Sequence, residues 1–207
     1  MDYLTVVSKL RTNKLYLFSL HDIQVLFPDE NLKTLKNNLT HWISKGRFAR
    51  LKRDVYELKD ISVELPDLYV GNKLYEPSYI SLETALSMYS IIPDIAAGVT
   101  SVTTKPTRKF SNKYGVFLYR TCRPQAFTGY RLALYEGYKV YIADKEKAVV
   151  DFLYYRLRNQ RSIDFDEERL NKVILKKIKW KKALRYAGLF NKKVIEAVNK
   201  CKRYILC

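Results

Sequence analysis

Between Asn31 and Arg53 the chain carries seven bases and no acid, and an apolar repeat of helical spacing runs through the first part of that stretch. Leu32, Leu35, Leu39, Trp42 and Ile43 gather on one side when successive residues are set 100° apart. This predicts an amphipathic helix from about Asn31 to Lys45, with Gly46 as its C-cap. The other side then holds Lys33, Thr34, Asn37, Asn38, His41, Ser44 and Lys45, a polar flank rich in donors and free of carboxylates. Such a helix must lay its apolar stripe on a core and turn the cationic flank outward.

The flanking residues predict what that core is made of. Tyr3, Leu4, Val7 and Leu10 recur at helical spacing. Ser19-Leu20-His21-Asp22 has the form of a capping box, and Ile23, Leu26 and Phe27 give the helix behind it an apolar face, ended by Pro28. After the basic helix, Arg47–Leu51 and Val55–Leu58 read as a hairpin around the charged turn Lys52-Arg53-Asp54, although Phe48 and Leu51 do not alternate cleanly.

Three helices followed by a hairpin with a basic tip is the order of a winged helix-turn-helix, expected over residues 1–65. Its third helix can enter a DNA major groove roughly 12 Å wide. Lys33, Thr34 and Asn37 are the expected contacts to base edges, because the N-terminal part of such a helix lies deepest, with Asn38 and His41 further along. Lys36, Ser44, Lys45, Arg47, Arg50, Lys52 and Arg53 are the expected phosphate and wing contacts. Winged helices also serve as protein-docking modules; the acid-free helix and basic tip weigh against that use.

Charge extends the same theme. Across 207 residues there are 38 Lys+Arg against 21 Asp+Glu, a net charge of +17, which calls for a densely anionic partner. By segment the balance is +3 over residues 1–75, +4 over 76–145 and +10 over 146–207. There is no 18-residue apolar run, and Met1-Asp2-Tyr3 lacks the layout of a signal peptide, so a cytoplasmic protein without a membrane span is expected. The cysteines Cys122, Cys201 and Cys207 fit reduced thiols and show no zinc spacing.

Residues 66–160 read as a small α+β domain, making the whole chain α+β. Pro66–Tyr75 is expected as a short helix or linker broken by Gly71-Asn72, and Ser81 as the cap of a helix ended by Ile92-Pro93. Strands are expected over Val99–Thr104, on either side of Asn112–Gly115, and over Tyr138–Ala143, with Asp144 capping a further helix. Thr103, Thr104, Lys105, Thr107, Arg108 and Lys109 place hydroxyls and bases at a strand end. They either grip a phosphate or simply suit a strand with its bases in water.

Residues 161–207 are expected as a basic helical segment packed on the second domain. Ser162 or Asp164 would cap a helix with the stripe Leu170, Val173, Ile174 and Ile178, and Asn191 would cap the last one. Thirteen bases and one acid lie between Arg169 and Arg203. Lys105, Arg108, Lys109, Lys172, Lys176, Lys177, Lys179, Lys181 and Lys182 therefore form a candidate second phosphate surface.

Three segments carry a resemblance: Ser78–Leu86, Val99–Lys105 and Ile142–Ala148. In this order, behind a winged helix, they resemble the AbiEi-type antitoxins of bacterial type IV toxin–antitoxin (abortive infection) systems, over most of residues 1–155. The resemblance implies an autorepressor that binds double-stranded operator DNA at repeats, inverted ones being the expected form, through its N-terminal domain. It further implies that the C-terminal domain neutralises a nucleotidyltransferase-like toxin, with direct contact left open. No cofactor or metal is implied.

Catalytic readings are weaker on the residues. Asp164-Phe165-Asp166 mimics a nucleotidyltransferase metal pair without the Gly-Ser element before it, and helix capping accounts for both acids. Asp29 with Glu57-Leu58-Lys59 mimics a Mg²⁺-dependent nuclease, but the acids fall in a helix-turn-helix turn and on a wing. His21 and His41 have no partner for a nucleophile relay. An RNA-binding module, using some of the 17 tyrosines for stacking, is the remaining alternative.

Overall fold

A computed structural model describes residues 2–59, 64–93, 97–160 and 162–206, and the fold is α+β. The chain divides into two compact units, residues 1–65 and residues 66–207.

The first unit runs α1 (Tyr3–Thr12), β1 (Leu17–Phe18), α2 (Leu20–Leu26), α3 (Leu32–Ser44), β2 (Phe48–Lys52) and β3 (Val55–Leu58). Each helix starts where a side chain can satisfy a free backbone N–H. Asp2 caps α1, Asn31 caps α3, and Ser19 with Asp22 forms a reciprocal capping box on α2, an arrangement of about 1 kcal/mol. The strands form one antiparallel sheet in the order β1-β3-β2. Arg50 pairs with Tyr56 and Lys52 with Val55, so Leu51 is an extra residue in β2, which is why Phe48 and Leu51 fail to alternate. Asp54, at φ +62°, closes the two-residue turn.

The core of this unit joins Val6, Val7 and Leu10 of α1 to Ile23 of α2, Leu35, Leu39 and Trp42 of α3, and Phe18, Phe48 and Leu58 of the sheet. Two expectations are corrected here. Leu4 is 75% exposed and Val6 takes its place inside, while Leu32 at the first turn of α3 stays 40% exposed.

The second unit contains α4 (Asp67–Leu74), β4 (Ser78–Ile80), α5 (Leu82–Met88), β5 (Val99–Thr103), β6 (Arg108–Asn112), β7 (Gly115–Thr121), β8 (Tyr130–Tyr135), β9 (Tyr138–Ala143), α6 (Lys145–Asn159), α7 (Lys172–Leu175), α8 (Trp180–Gly188) and α9 (Lys192–Leu206). Its six strands form one mixed sheet in the order β6-β7-β5-β4-β9-β8, parallel at β5–β7 and β4–β9. Successive residues of β4 serve opposite faces. Ile80 lies on the side packed by Gly71 of α4, and Tyr79 reaches Asp151 of α6 on the other.

Gly71-Asn72 does not break α4. A Cβ on Gly71 would come within 2.9 Å of Val99 Cγ1, so the glycine lets the helix lie directly on β5. Buried Asn72 accepts from the Tyr141 N–H and donates to the Tyr141 carbonyl, joining α4 to β9. Ser81 precedes α5 without capping it through its side chain; its hydroxyl donates to Asp151 instead. That helix ends at Met88, before Ile92-Pro93, where Ser90 adopts φ +56°.

The expected helix over Leu170–Ile178 shrinks to the four residues of α7, capped by Asn171. Asp164 instead accepts from the N–H groups of Asp166 and Glu167 in a turn. Val173 faces solvent and Leu175 is buried in its stead. The basic segment belongs to the same compact unit as the sheet. Trp180, Ala183 and Ala187 of α8 and Val194, Val198, Cys201 and Ile205 of α9 are buried, and the Lys179 N–H donates to Glu146 of α6. Among the described residues no helix is long and apolar enough to cross a membrane.

Candidate nucleic-acid interface

The strongest cationic helix face in the first unit is built by α3. Its buried residues Leu35, Leu39 and Trp42 point to the core, and at 100° per residue Asn37 falls almost opposite their mean direction. At that spacing Ser44 and Lys33 lie beside Asn37 on one side and His41 and Thr34 on the other. Lys33, Thr34, Lys36, Asn37, His41, Ser44 and Lys45 are all exposed, and Asn38 is half-buried. Asn31 accepts from the Lys33 N–H through its side-chain oxygen and so caps α3; Lys33 lies in the first turn of the helix and Asn37 near its middle.

Thr40 is not among the residues expected from the sequence, yet it is exposed on the same flank, next to Lys36 and Asn37 in the helical projection. Its hydroxyl proton goes to the Lys36 carbonyl, as a threonine inside a helix commonly arranges, but its oxygen still accepts. Ser44 makes the same kind of bond to the His41 carbonyl.

The hairpin bases have distinct settings. Arg47 lies at the base of β2 with its guanidinium 4.5 Å from the Tyr3 ring, so it is stacked while remaining exposed. Arg50 Nε donates to the Lys52 carbonyl and Lys52 Nζ to the Arg53 carbonyl, which folds both side chains back along the turn. Arg53 is exposed at the tip; its neighbour Asp54 accepts from the Leu20 N–H at 3.4 Å, at the start of α2.

In the second unit the bases expected to hold phosphate divide. Lys105, Arg108, Lys109, Lys172, Lys176, Lys177, Lys179 and Lys181 are exposed. Lys105 stands over the Tyr75 ring and Lys172 over the Tyr204 ring. Lys182 is a correction: its ammonium is 2.7 Å from Asp144 and 3.3 Å from Glu146, and the Asp144 bond holds it protonated well above the ordinary lysine range. It ties α8 to the start of α6 and is not a free phosphate ligand. Arg185, Lys192, Lys193, Lys200 and Arg203 are further exposed bases on α8 and α9, and each lies off the buried stripe of its helix, the signal by which the sequence could have added them.

The threonine cluster serves the backbone. Buried Thr103 donates to the Pro77 carbonyl and accepts from the Lys105 N–H, and Thr121 donates to the Lys105 carbonyl. The Thr107 hydroxyl accepts from the Thr121 N–H, so the hydroxyls of Thr103 and Thr107 are committed to the chain itself.

Residues 78–86, 99–105 and 142–148 meet Asp151 in one buried network. Tyr79 and Ser81, at 3.0 and 2.8 Å, donate to one oxygen of Asp151, and Lys147 of α6 pairs with the other. Thr100 donates to the Ser81 carbonyl and accepts from the Thr84 N–H. Burial raises the Asp151 carboxyl above its usual range, and the adjacent ammonium opposes the rise. Both charged side chains are sealed from water, so the network joins β4, β5, α5 and α6 and offers nothing to an external ligand.

The acids considered for catalysis stand apart in role. Asp29 is exposed after α2, whereas Glu57 is buried in β3. Asp164 caps its turn and Asp166 accepts from the Tyr204 hydroxyl. Among the described residues no three His, Cys, Asp or Glu side chains gather as a metal site. Burial pushes the Cys122 thiol up to about 11 and the Cys201 thiol up to about 12. No protein-family model matches the chain, and no curated protein matches it.

Proposed function

We propose that this chain is a duplex-DNA-binding transcriptional repressor whose residues 1–65 act as a winged helix-turn-helix, and that it serves as the antitoxin of a type IV toxin–antitoxin operon. The observation that carries the DNA-binding reading is the α3 flank centred on Asn37, which is exposed, donor-rich and free of acids. Around it, the element order α1-β1-α2-α3-β2-β3 with an antiparallel β2–β3 hairpin is the one a winged helix requires. In this reading α3 lies in the major groove, Lys33 and Asn37 meet base edges, and Arg50 and Arg53 neutralise phosphates along the hairpin.

The antitoxin role rests on the resemblance of residues 78–86, 99–105 and 142–148, whose shared network makes them the frame of the second unit. It requires a nucleotidyltransferase-like gene beside this one.

The test is a binding titration of the full chain on the DNA upstream of its own coding sequence, a scrambled duplex and a single-stranded RNA of equal length. The upstream duplex is expected to bind tightest, by roughly 10³-fold or more over the scrambled one. Tighter binding to the RNA favours the RNA module. Co-expression with the neighbouring nucleotidyltransferase-like protein is expected to relieve the growth arrest it causes; persistent arrest leaves a regulator without antitoxic action.

A further inference from the structure

A cleft of about 390 Å³ opens in the second unit on the sheet face shared by β5 and β7, beside α6. Its floor follows from the strand period of two: Val116, Leu118 and Arg120 of β7 project on one side, and Lys109 of β6 joins them because it pairs directly with Leu118. Phe152 of α6 forms an apolar wall.

Two backbone features mark its lining. Gly98, on its lining, admits no side chain, since a Cβ there would fall 2.5 Å from the Val116 carbonyl oxygen. Leu82, also lining it, sits at φ +56°, a left-handed conformation that is uncommon for a leucine and persists only when its surroundings hold it there.

Three bases and one acid line the cleft, Lys109, Arg120, Arg156 and Glu83, and Glu83 acts on Glu168, the partner of Arg156. Arg156 is occupied by Glu168 at 2.8 Å. Lys109 and Arg120 are exposed and have no carboxylate partner among the described residues. Two available cations thus stand at the edge of an apolar floor, in a space within the range of small-molecule pockets, roughly 300–1,000 Å³. The hydroxyls of Thr100 and Tyr155 on the lining donate to the Ser81 and Thr121 carbonyls, which leaves Lys109 and Arg120 as the charged donors at their edge of the cleft.

We propose that this cleft binds a small amphipathic anion, its apolar or aromatic body lying on Val116, Leu118 and Phe152 and its phosphate or carboxylate held between Lys109 and Arg120. The cleft belongs to the second unit, and the proposal does not depend on the DNA-binding reading.

The experiment titrates the ¹⁵N-labelled full chain with adenosine monophosphate, with decanoate and with inorganic phosphate, following backbone amide shifts. Saturable binding of the nucleotide or the fatty acid is expected, with the largest shifts at Gly98 and Leu118; which of the two binds tighter identifies the source of the anion. Lys109→Ala with Arg120→Ala, both on exposed side chains, is expected to weaken that binding at least tenfold, about 1.4 kcal/mol. Lys33→Gln with Asn37→Ala should leave it unchanged. The proposal is overturned by no saturation by either probe at millimolar concentration, by equal affinity for inorganic phosphate alone, or by unchanged affinity in the Lys109/Arg120 variant. Leu118→Trp, which fills the floor, is the second variant, and its failure to block binding also overturns it.

Discussion

Lys147 and Asp151, one turn apart on α6, form an ion pair from which water is wholly excluded, and Tyr79 and Ser81 supply the hydrogen bonds that satisfy the far oxygen of the carboxylate. Removing one member strands the other charge in the core. Asp151→Ala is expected to destabilise the second unit by about 3–5 kcal/mol. Lys147→Met with Asp151→Asn removes both charges and keeps an acceptor for the two hydroxyls, so its loss should be less than half as large. Denaturant unfolding of the three proteins checks this; equal losses would show that the charges do not act as a pair.

Thiol reactivity follows from burial. With Cys122 pushed up to about 11 and Cys201 to about 12, the thiolate fraction at pH 8 is about a thousandth or less. In the native protein both should resist alkylation at pH 8 and gain reactivity as pH rises toward those values, while unfolding should expose both at once. Mass mapping of alkylated peptides provides the readout, and rapid native labelling of Cys201 would contradict its place in α9.

The second basic surface can be separated from the intramolecular pairs. Replacing Lys176, Lys177 and Lys181 with Gln is expected to flatten the dependence of DNA affinity on salt, by roughly one unit of log–log slope for each phosphate that is no longer neutralised. Lys182→Gln should leave that slope alone and lower thermal stability, because its partners are Asp144 and Glu146. An unchanged slope in the triple variant removes the segment from the interface.

Strong local signals made the first unit legible. The capping box at Ser19, the stripe of α3 and the charged turn of the hairpin each specify an element within a few residues. The two-residue β1 has no pattern of its own and exists because Leu17 and Phe18 pair with Glu57 and Tyr56. In the second unit, tertiary context overrode local signs. Gly71-Asn72 looks like a breaker, but a close approach to Val99 needs the glycine and β9 needs the asparagine. The sequence does not announce β8: with Leu132 and Leu134 half-exposed or more, its apolar residues do not mark a buried face. α8 is obscured by its lysines, since its buried stripe of Trp180, Ala183 and Ala187 is made mostly of small residues. In the candidate interface, exposure at Lys33 and Asn37 follows from the helical period, whereas the pairing of Lys182 depends on Asp144 and Glu146, acids far back in the chain.

A hairpin test separates the wing from the helix. Arg50→Gln with Arg53→Gln is expected to weaken binding to specific and scrambled duplexes by similar factors and to reduce the salt slope, because phosphates carry no sequence. Loss confined to the specific duplex would assign these arginines to base edges instead.

The most direct measurement compares Asn37→Ala with the unaltered chain on the upstream duplex and on a scrambled one at fixed salt. Asn37 is exposed, so the fold should be retained. Loss of about 1–3 kcal/mol on the upstream duplex, with little change on the scrambled one, is the expected result. Equal affinities for both proteins on both duplexes would contradict the placement of α3 in a major groove.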